Sequence, residues 1–330
     1  MKVFLDCIIY GIRKTGGIVV YTDELINSLK RHNVDYVASS KDVNFFDKYV
    51  GRYLPSQVPR QSFDVFHSSY YRVPSRRVPT VVTVHDFIYE KLFSGVKRKV
   101  HSWQKFKSIY SADAIICVSH ATKADLLEYT HGRLDEKNIH VIHNGVSESF
   151  TYLNSYDSHD SYALFVGKRD GYKNFKLAVD AVRRIDGLKL ISVGGGEFSR
   201  EEVNYLGEEN IGTKFINYPV VSEERLNQLY NGAVCLLYMS SYEGFGIPVI
   251  EAMRAGCPVI NIPCKAIAEI AHGASITVAD FLSVENIADA VIQCSGSGRE
   301  EIIKKGFDVS SHYSWSRTHS ETIDVYRTLC

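Results

Sequence analysis

Short apolar runs alternate along the chain with longer stretches in which apolar residues recur every three or four positions. Runs of the first kind predict buried strands, and stretches of the second kind predict helices with one face on a core. In the first half the predicted strands are Val3–Ile8, Asp35–Ala38, Asp64–His67, Thr80–Val84, Ala114–Val118 and His140–His143. Helices are predicted over Val19–Arg31, Val96–Ser111 and Ala121–Tyr129. A polar stretch, Ser147–Ser161, reads as a linker. The pattern then restarts. Strands at Tyr162–Val166, Lys189–Val193, Lys214–Asn217, Ala233–Tyr238, Pro258–Ile260 and Ser275–Val278 alternate with helices at Asn174–Arg184, Glu223–Asn231, Pro248–Ala255 and Ser283–Gln293. A closing helix runs over Ser314–Leu329. Strand–helix alternation of this kind builds parallel sheets covered on both faces. The expected architecture is α/β, with two Rossmann-like doubly wound domains, 1–155 and 156–313, facing a cleft. The helix over 314–330 has the option of packing back on the first domain. Ligands bind at the carboxyl ends of such sheets.

At 330 residues the chain is long enough for two such domains, and its 45% hydrophobic and 23% charged composition is that of a globular protein. No run approaches the roughly 18 apolar residues needed to span a bilayer. The start, MKVFLDCIIYG, is too short in its apolar part for a signal peptide and reads as a first strand. The seven cysteines are scattered with no CxxC pair, which favours buried thiols in a reducing cytoplasm over a disulfide or metal framework. Net charge is zero, so bulk attraction to nucleic acid is excluded. The halves differ: residues 1–155 carry 21 Lys+Arg against 15 Asp+Glu, the remainder 17 against 23. A basic first half suits an anionic acceptor or membrane.

The chemistry concentrates in SSYEGFGIPVIEAMRAGCPVI, residues 240–260. A buried strand ends there, a glycine-rich turn follows, and Pro248 opens a helix where its missing N–H costs nothing. Gly244, Phe245, Gly246 and Ile247 form the turn. Its glycines let backbone amides approach a ligand, and the helix start favours a negative group such as phosphate. Glu243 precedes the helix and Glu251 lies one turn inside it. A carboxylate beside a phosphate repels it, so the natural partners of these two acids are hydroxyls, of a sugar for Glu243 and a ribose for Glu251. The alternative for Glu251 is a carboxylate serving the helix dipole. Arg169 and Lys173 follow the strand YALFVG, where two cations suit a diphosphate, although solvated loop charges would read the same way. No two aspartates stand one residue apart, and no HxxxH or clustered Cys/His site appears, so no metal is expected.

The string E-G-F-G-I-P-V-I-E-A-M resembles the E-x7-E motif of the large retaining family 4 glycosyltransferases, which have the GT-B fold. Thr15-Gly16-Gly17-Ile18 is similar to that family's N-terminal glycine loop, and VVTVHD to its histidine-bearing strand end, with His85. ADAIICVSHATKADL, KNIHVIHNGV and VGKRDGYKNFKLAVDAV also match in order, so the resemblance covers nearly the whole chain. It implies a UDP- or GDP-sugar donor held mainly by the C-terminal domain and an acceptor met mainly by the N-terminal one. It further implies that Arg169 and Lys173 stabilise the leaving diphosphate, that Gly16 and Gly17 lie under the donor phosphates, and that His85 sits beside the transferred sugar. Backbone atoms near Val220 would pass the base, although Pro219 departs from the glycine usual there. On the acceptor side stand His67, Tyr70 with Tyr71, and Ser119; for His67 and the tyrosines a structural role is the alternative.

Residues 94–112 hold five Lys/Arg and no acid. On a helix Val100, Trp103, Phe106 and Tyr110 share one side, while Lys97, His101 and Lys105 fall on another. Such a helix either lies on anionic lipid or packs on its own sheet with a solvated basic face. The expected protein is a metal-independent hexosyl- or N-acetylhexosaminyltransferase of bacterial surface-polysaccharide assembly, O-antigen included. Its acceptor would be a glycan, lipid-pyrophosphate-linked, and its place the cytoplasm or the inner face of the membrane. The rival expectations are a nucleotide-sugar epimerase of the same fold and a non-catalytic binding subunit.

Overall fold

The structure is a computed structural model, and it describes residues 1–39, 50–59, 63–153, 161–169 and 171–330. The described strands form two parallel sheets of six, and the chain divides into two compact units, one of residues 1–145 with 315–330 and one of 146–314.

In the first unit the chain runs β1 (Lys2–Asp6), α1 (Ile9–Ile12), α2 (Gly17–Arg31), β2 (Asp35–Ala38), β3 (Val65–Ser68), β4 (Thr80–Val84), α3 (Ile88–Leu92), α4 (Gly95–Ser111), β5 (Ala114–Cys117), α5 (His120–Thr130) and β6 (Ile139–Val141). Sheet order is β2-β1-β3-β4-β5-β6. The central strands are buried throughout because helices cover both faces. Each helix buries one stripe; α2 turns Val19, Tyr21, Leu25, Ile26 and Leu29 inward and ends on Lys30 and Arg31, which suit the negative pole of its dipole.

The second unit runs β7 (Tyr162–Val166), α6 (Phe175–Arg183), β8 (Lys189–Val193), α7 (Arg200–Leu206), β9 (Phe215–Tyr218), α8 (Glu223–Gly232), β10 (Cys235–Tyr238), α9 (Ile247–Arg254), β11 (Val259–Asn261), α10 (Lys265–Ala271), β12 (Ile276–Thr277), α11 (Val284–Gln293) and α12 (Arg299–Ser310). Its order is β12-β11-β10-β7-β8-β9, so the connections reverse direction between β7 and β10, the position where doubly wound sheets leave room for a ligand. Phe165 and Phe175 meet edge to face at 5.1 Å in the core beneath. The Arg299 guanidinium donates to the Ala233 and Val234 carbonyls and pins the start of β10. Within the predicted linker, the Thr151 and Leu153 N–H groups donate to Oδ1 of Asn227 and of Asn231 in α8; residues 154–160 lie outside the described residues.

The last helix, α13 (Trp315–Thr328), belongs to the first unit. Its Thr318 hydroxyl donates to the His143 carbonyl, Trp315 meets Tyr21 of α2 edge-on, and the Tyr326 hydroxyl lies 2.6 Å from His67 Nδ1.

One expectation about α4 is corrected. His101 and Lys105, assigned to a solvated basic face, are buried, and Lys105 has no exposed surface. The Lys105 ammonium donates to Glu90 Oε2 at 2.6 Å and to the Asp86 carbonyl at 2.8 Å. His101 Nε2 lies 2.8 Å from the Tyr70 hydroxyl, and Tyr89 stacks on its ring. Burial raises the Glu90 carboxyl, yet His101 and Lys105 outweigh it and hold it down to about 2.

Buried imidazoles make the first unit acid-sensitive. Burial pushes His67 down to about 3, with His85 adding to the effect, and His319 down to about 3, with Arg31 and His32 adding. Between pH 6.5 and 3 the unfolded chain therefore binds protons at these sites that the folded chain does not, and stability falls as pH falls through that window. Both ring nitrogens of His319 lack a hydrogen-bond partner among the described residues, and its ring stacks on Trp315. His319→Phe is therefore expected to raise the melting temperature more near pH 5 than near pH 8, which thermal unfolding at the two pH values checks.

Candidate active site

The β7–β10 reversal gathers the chemistry of the second unit. After β7 the chain turns through Gly167, at φ 120°, into Lys168 and Arg169 and then a short turn, Gly171–Lys173. A Cβ on Gly167 would stand 3.4 Å from Lys173 Nζ, so the absent side chain leaves the ammonium its place. Lys173 Nζ donates to Glu243 Oε1 at 2.9 Å, both side chains being mostly buried, and lies 5.4 Å from the centre of the Tyr238 ring. Burial and the Glu243 carboxylate together raise the Tyr238 hydroxyl well above its usual range. The ends of β7 and β10 thus hold a cation and an acid against each other.

Beyond Glu243 the chain enters α9 through Gly246, at φ 111°. At that φ any side chain is strained, and a Cβ would also meet Ile267 Cδ1 at 2.5 Å. Pro248 sits in the first turn, which carries no acid and no side-chain cap. Phe245 is buried edge-on to Tyr313 and anchors the turn, Gly244 is buried beside it, and Ile247 is half-buried. One turn along α9, Glu251 Oε2 accepts a hydrogen bond from the Tyr230 hydroxyl at 3.0 Å. Burial, with the Glu223 carboxylate adding, pushes its carboxyl up to about 7 against the pull of Tyr230.

Arg169 does not have the surroundings of a phosphate ligand. Its Nε donates to Glu202 at 2.6 Å, Nη1 to the Gly194 carbonyl and Asn217, and Nη2 to the Gly196 and Glu197 carbonyls. A guanidinium has five N–H donors, and protein acceptors engage every nitrogen that carries them. What it organises is the Gly194–Gly195–Gly196 turn, three successive residues of positive φ, in which a Gly195 Cβ would stand 3.0 Å from Arg169 Nη1. The sequence reading passed over Lys168. Its side chain is exposed, with no ion or hydrogen-bond partner among the described residues, beside the same strand end. Val220, just beyond β9, is 78% exposed, so only its backbone is fixed in place.

In the first unit Gly16, at φ 120°, opens α2 with open space around it, Gly17 follows, and no acid stands in that first turn. His85 ends β4 half-buried, its ring edge-on to Tyr21 at 5.0 Å. Burial first, then the cations Lys105 and Arg13, pushes it down to about 3, so it is neutral at physiological pH. The acceptor-side expectations meet a different structure. His67 is buried, with Nδ1 on Tyr326 and Nε2 on the Thr83 hydroxyl, so both nitrogens are spent inside the core. Tyr70 and Tyr71 are buried as well, and the Tyr70 hydroxyl is on His101, which leaves no stacking surface. Ser119 is fully buried and caps α5 by accepting from the Thr122 N–H. A cavity of 380 Å³ in this unit, with Ser94, Arg98, Lys99 and Phe106 in its lining, includes none of the candidate residues.

The model for Glycosyl transferases group 1 matches residues 154–307, and the model for Glycosyltransferase Family 4 matches residues 45–150. O-antigen chain mannosyltransferase B of Escherichia coli is 26% identical over 284 residues, which cover 80% of this chain and 74% of the relative. Two solved structures share the fold. Sucrose-phosphate synthase of Thermosynechococcus elongatus superposes with a TM-score of 0.79 at 18% identity, over 100% of this chain and 99% of its own. Anabaena Alr3699/HepE, solved with UDP-glucose, gives 0.72 at 13% identity, over 99% and 100%. With two doubly wound sheets of the GT-B type and both family models matched in order, the chain is a glycosyltransferase and belongs to the group 1, family 4 glycosyltransferases.

Proposed function

We propose that the enzyme moves a hexosyl group, mannosyl by preference, from a nucleoside-diphosphate sugar to a lipid-linked glycan in bacterial surface-polysaccharide assembly, with retention of configuration and without a metal. The observation that carries this reading is the Lys173–Glu243 pair at the β7–β10 reversal, with the exposed Lys168 beside it and the raised carboxyl of Glu251 one turn into α9. The mannosyl preference rests on the E. coli relative's name, and a UDP-glucose complex of a protein with this fold supports a nucleotide-sugar donor.

In this reading the donor diphosphate lies against the backbone of Gly244–Ile247, with Lys173 and Lys168 as its cations and Arg169 as the residue that shapes the adjoining turn. Glu243 accepts hydrogen bonds from the sugar hydroxyls, Glu251 from the ribose, and backbone at Val220 passes the base. For the first unit, the family resemblance assigns the Gly16–Gly17 turn to the phosphates and neutral His85 to the sugar. The bond from the anomeric carbon to the diphosphate oxygen breaks while the acceptor oxygen bonds that carbon on the same face. The acceptor's proton passes to the leaving diphosphate, and the two cations stabilise the charge that grows there. Neutral His85 contributes its ring dipole or backbone carbonyl to the positive charge developing on the sugar.

Three outcomes test this. Glu243→Ala is expected to lower turnover about 10²–10³-fold, measured as sugar transfer; near-normal turnover removes the assignment. Lys168→Ala should weaken binding of UDP or GDP in calorimetry and leave the melting temperature unchanged. Arg169→Met should instead destabilise the fold by about 3 kcal/mol. Equal loss of donor affinity in a stably folded Arg169→Met would return the phosphate role to Arg169. A ribose held by Glu251 as a carboxylate requires loss of the proton it carries below about pH 7. Donor affinity should therefore rise with pH through 7, with proton release visible as a buffer-dependent binding enthalpy that Glu251→Gln abolishes. Incubation with donor alone, followed by NMR, separates transfer from epimerisation, which would convert the donor without acceptor.

A further inference from the structure

Tyr238 closes β10 after Cys235, Leu236 and Leu237, and it is only 3% exposed. A buried tyrosine sets its ring among apolar neighbours and needs a partner for its hydroxyl. Here the partner is the Glu243 carboxylate, and the raised hydroxyl keeps its proton and serves that carboxylate as a donor. The hydroxyl also lies under the turn that opens α9, since a Cβ on Gly246 would stand 3.7 Å from it. The ring faces Lys173, whose ammonium is 5.4 Å from the Tyr238 ring centre and 5.7 Å from that of Tyr172. One side chain thus stands against the acid, the cation and the glycine turn of the candidate site.

We propose that Tyr238 is a positioning residue, one that holds the Glu243 carboxylate in its sugar-binding orientation once the Lys173 ammonium has turned from it to the donor diphosphate. This inference rests on the proposed reading of Glu243 as the acid that grasps sugar hydroxyls. Two donors fix that carboxylate in the structure, Lys173 at 2.9 Å on Oε1 and the Tyr238 hydroxyl. They differ in mobility. An ammonium on a flexible four-carbon stem is drawn to a diphosphate, whereas a tyrosine ring packed at a strand end stays. The backbone leaves Lys173 no other freedom. The Tyr172 carbonyl accepts from the Ser241 N–H at 2.9 Å and from its hydroxyl at 3.1 Å, and Asn174 Nδ2 donates to the Met239 carbonyl at 2.9 Å. The turn before α6 is therefore stitched to the chain after β10, and the exchange is a motion of side chains over a fixed backbone. A carboxylate offers about four lone-pair directions. With one kept on Tyr238, those that Lys173 vacates face the sugar. Without the hydroxyl, the Glu243 side chain, 12% exposed, would have no held donor at the moment it must meet its ligand.

Calorimetry of the full chain with GDP and GDP-mannose, and with UDP and UDP-glucose, tests this, and the pair that wild type binds is followed. Comparing a sugar nucleotide with its own diphosphate isolates what the sugar contributes. Tyr238→Phe removes one oxygen and keeps the ring. It is expected to lower the affinity for the sugar nucleotide about tenfold and to leave that for the diphosphate unchanged. Glu243→Ala should lower sugar-nucleotide affinity as well. Adding Tyr238→Phe to Glu243→Ala should then change nothing further, because a residue that acts through another has no effect once the other is gone. A merely structural tyrosine would give additive losses that fall on diphosphate and sugar nucleotide alike. Three results overturn the proposal: normal sugar-nucleotide affinity in Tyr238→Phe while Glu243→Ala is impaired, an additive loss in the double variant, or a Tyr238→Phe chain that unfolds or no longer binds the diphosphate. Unchanged affinity in Glu243→Ala would instead remove the reading of Glu243 itself, and this inference with it.

Discussion

The constraint on which the donor side depends is topological. A parallel sheet must send every connection over a face, and where the strand order reverses, two neighbouring strands send theirs to opposite faces. In the second unit those strands are β7 and β10, and their carboxyl ends have no connection lying across them. Two mostly buried side chains of opposite charge, Lys173 and Glu243, stand together at this edge. A pair of this kind has a double use in an enzyme. It keeps each group desolvated at tolerable cost while no substrate is present, and it lets the ammonium and carboxylate turn separately to a phosphate and a hydroxyl when one arrives. The glycines follow from the same crowding. Gly167 and Gly246 both take a positive φ that strains other residues, one at the turn beside the Lys173 ammonium and one where α9 begins beside the pair.

The fold was legible because its signals are periodic and numerous. Near-continuous apolar strands such as β4 and β5 and strongly amphipathic helices such as α2 and α6 repeat the same message. Among the described helices the short α1, α3, α7 and α10 and the longer α12 were not read. Of these, α7 carried a local signal, the Ser199–Glu202 capping box. In α12 a helix-weakening glycine, Gly306, sits where the helix backbone approaches Met253, so tertiary contact overrides local preference.

At the site, residue type was legible and direction was not. Arg169 and Lys168 are adjacent cations at one strand end, and nothing in their spacing says which turns inward. The structure decides by supplying acceptors. Glu202, Asn217 and the carbonyls of a glycine turn converge on Arg169, a planar fork matching that array better than a flexible ammonium would. For His67 and Tyr70, where a ligand surface and a structural role were both open, the structure shows their polar atoms meeting Thr83 and His101 in the core. Most buried polar atoms have a partner, and for His67 that partner, Tyr326, lies far along the chain. Sequence spacing carries no trace of such a pairing.

The first unit applies this rule to a whole helix. On α4 the hydrophobic pattern alone favours a roll that buries Val100, Trp103 and Tyr110. The observed roll instead buries Lys105 and His101: Glu90 and the Asp86 carbonyl accept from Lys105, the Tyr70 hydroxyl meets His101 Nε2, and the Ser102 hydroxyl donates to Glu90. A buried ion pair of this kind contributes little net stability, but leaving either member alone would be costly, so it selects between orientations more than it strengthens one. A roll that turned Lys105 outward would leave the buried Glu90 carboxylate without its cation. The pair also reaches the end of β4, since Lys105 holds the carbonyl of the residue after His85 and is one of the charges that keep His85 neutral. One buried lysine thereby ties the outward stripe of α4 to the strand end that bears the candidate histidine.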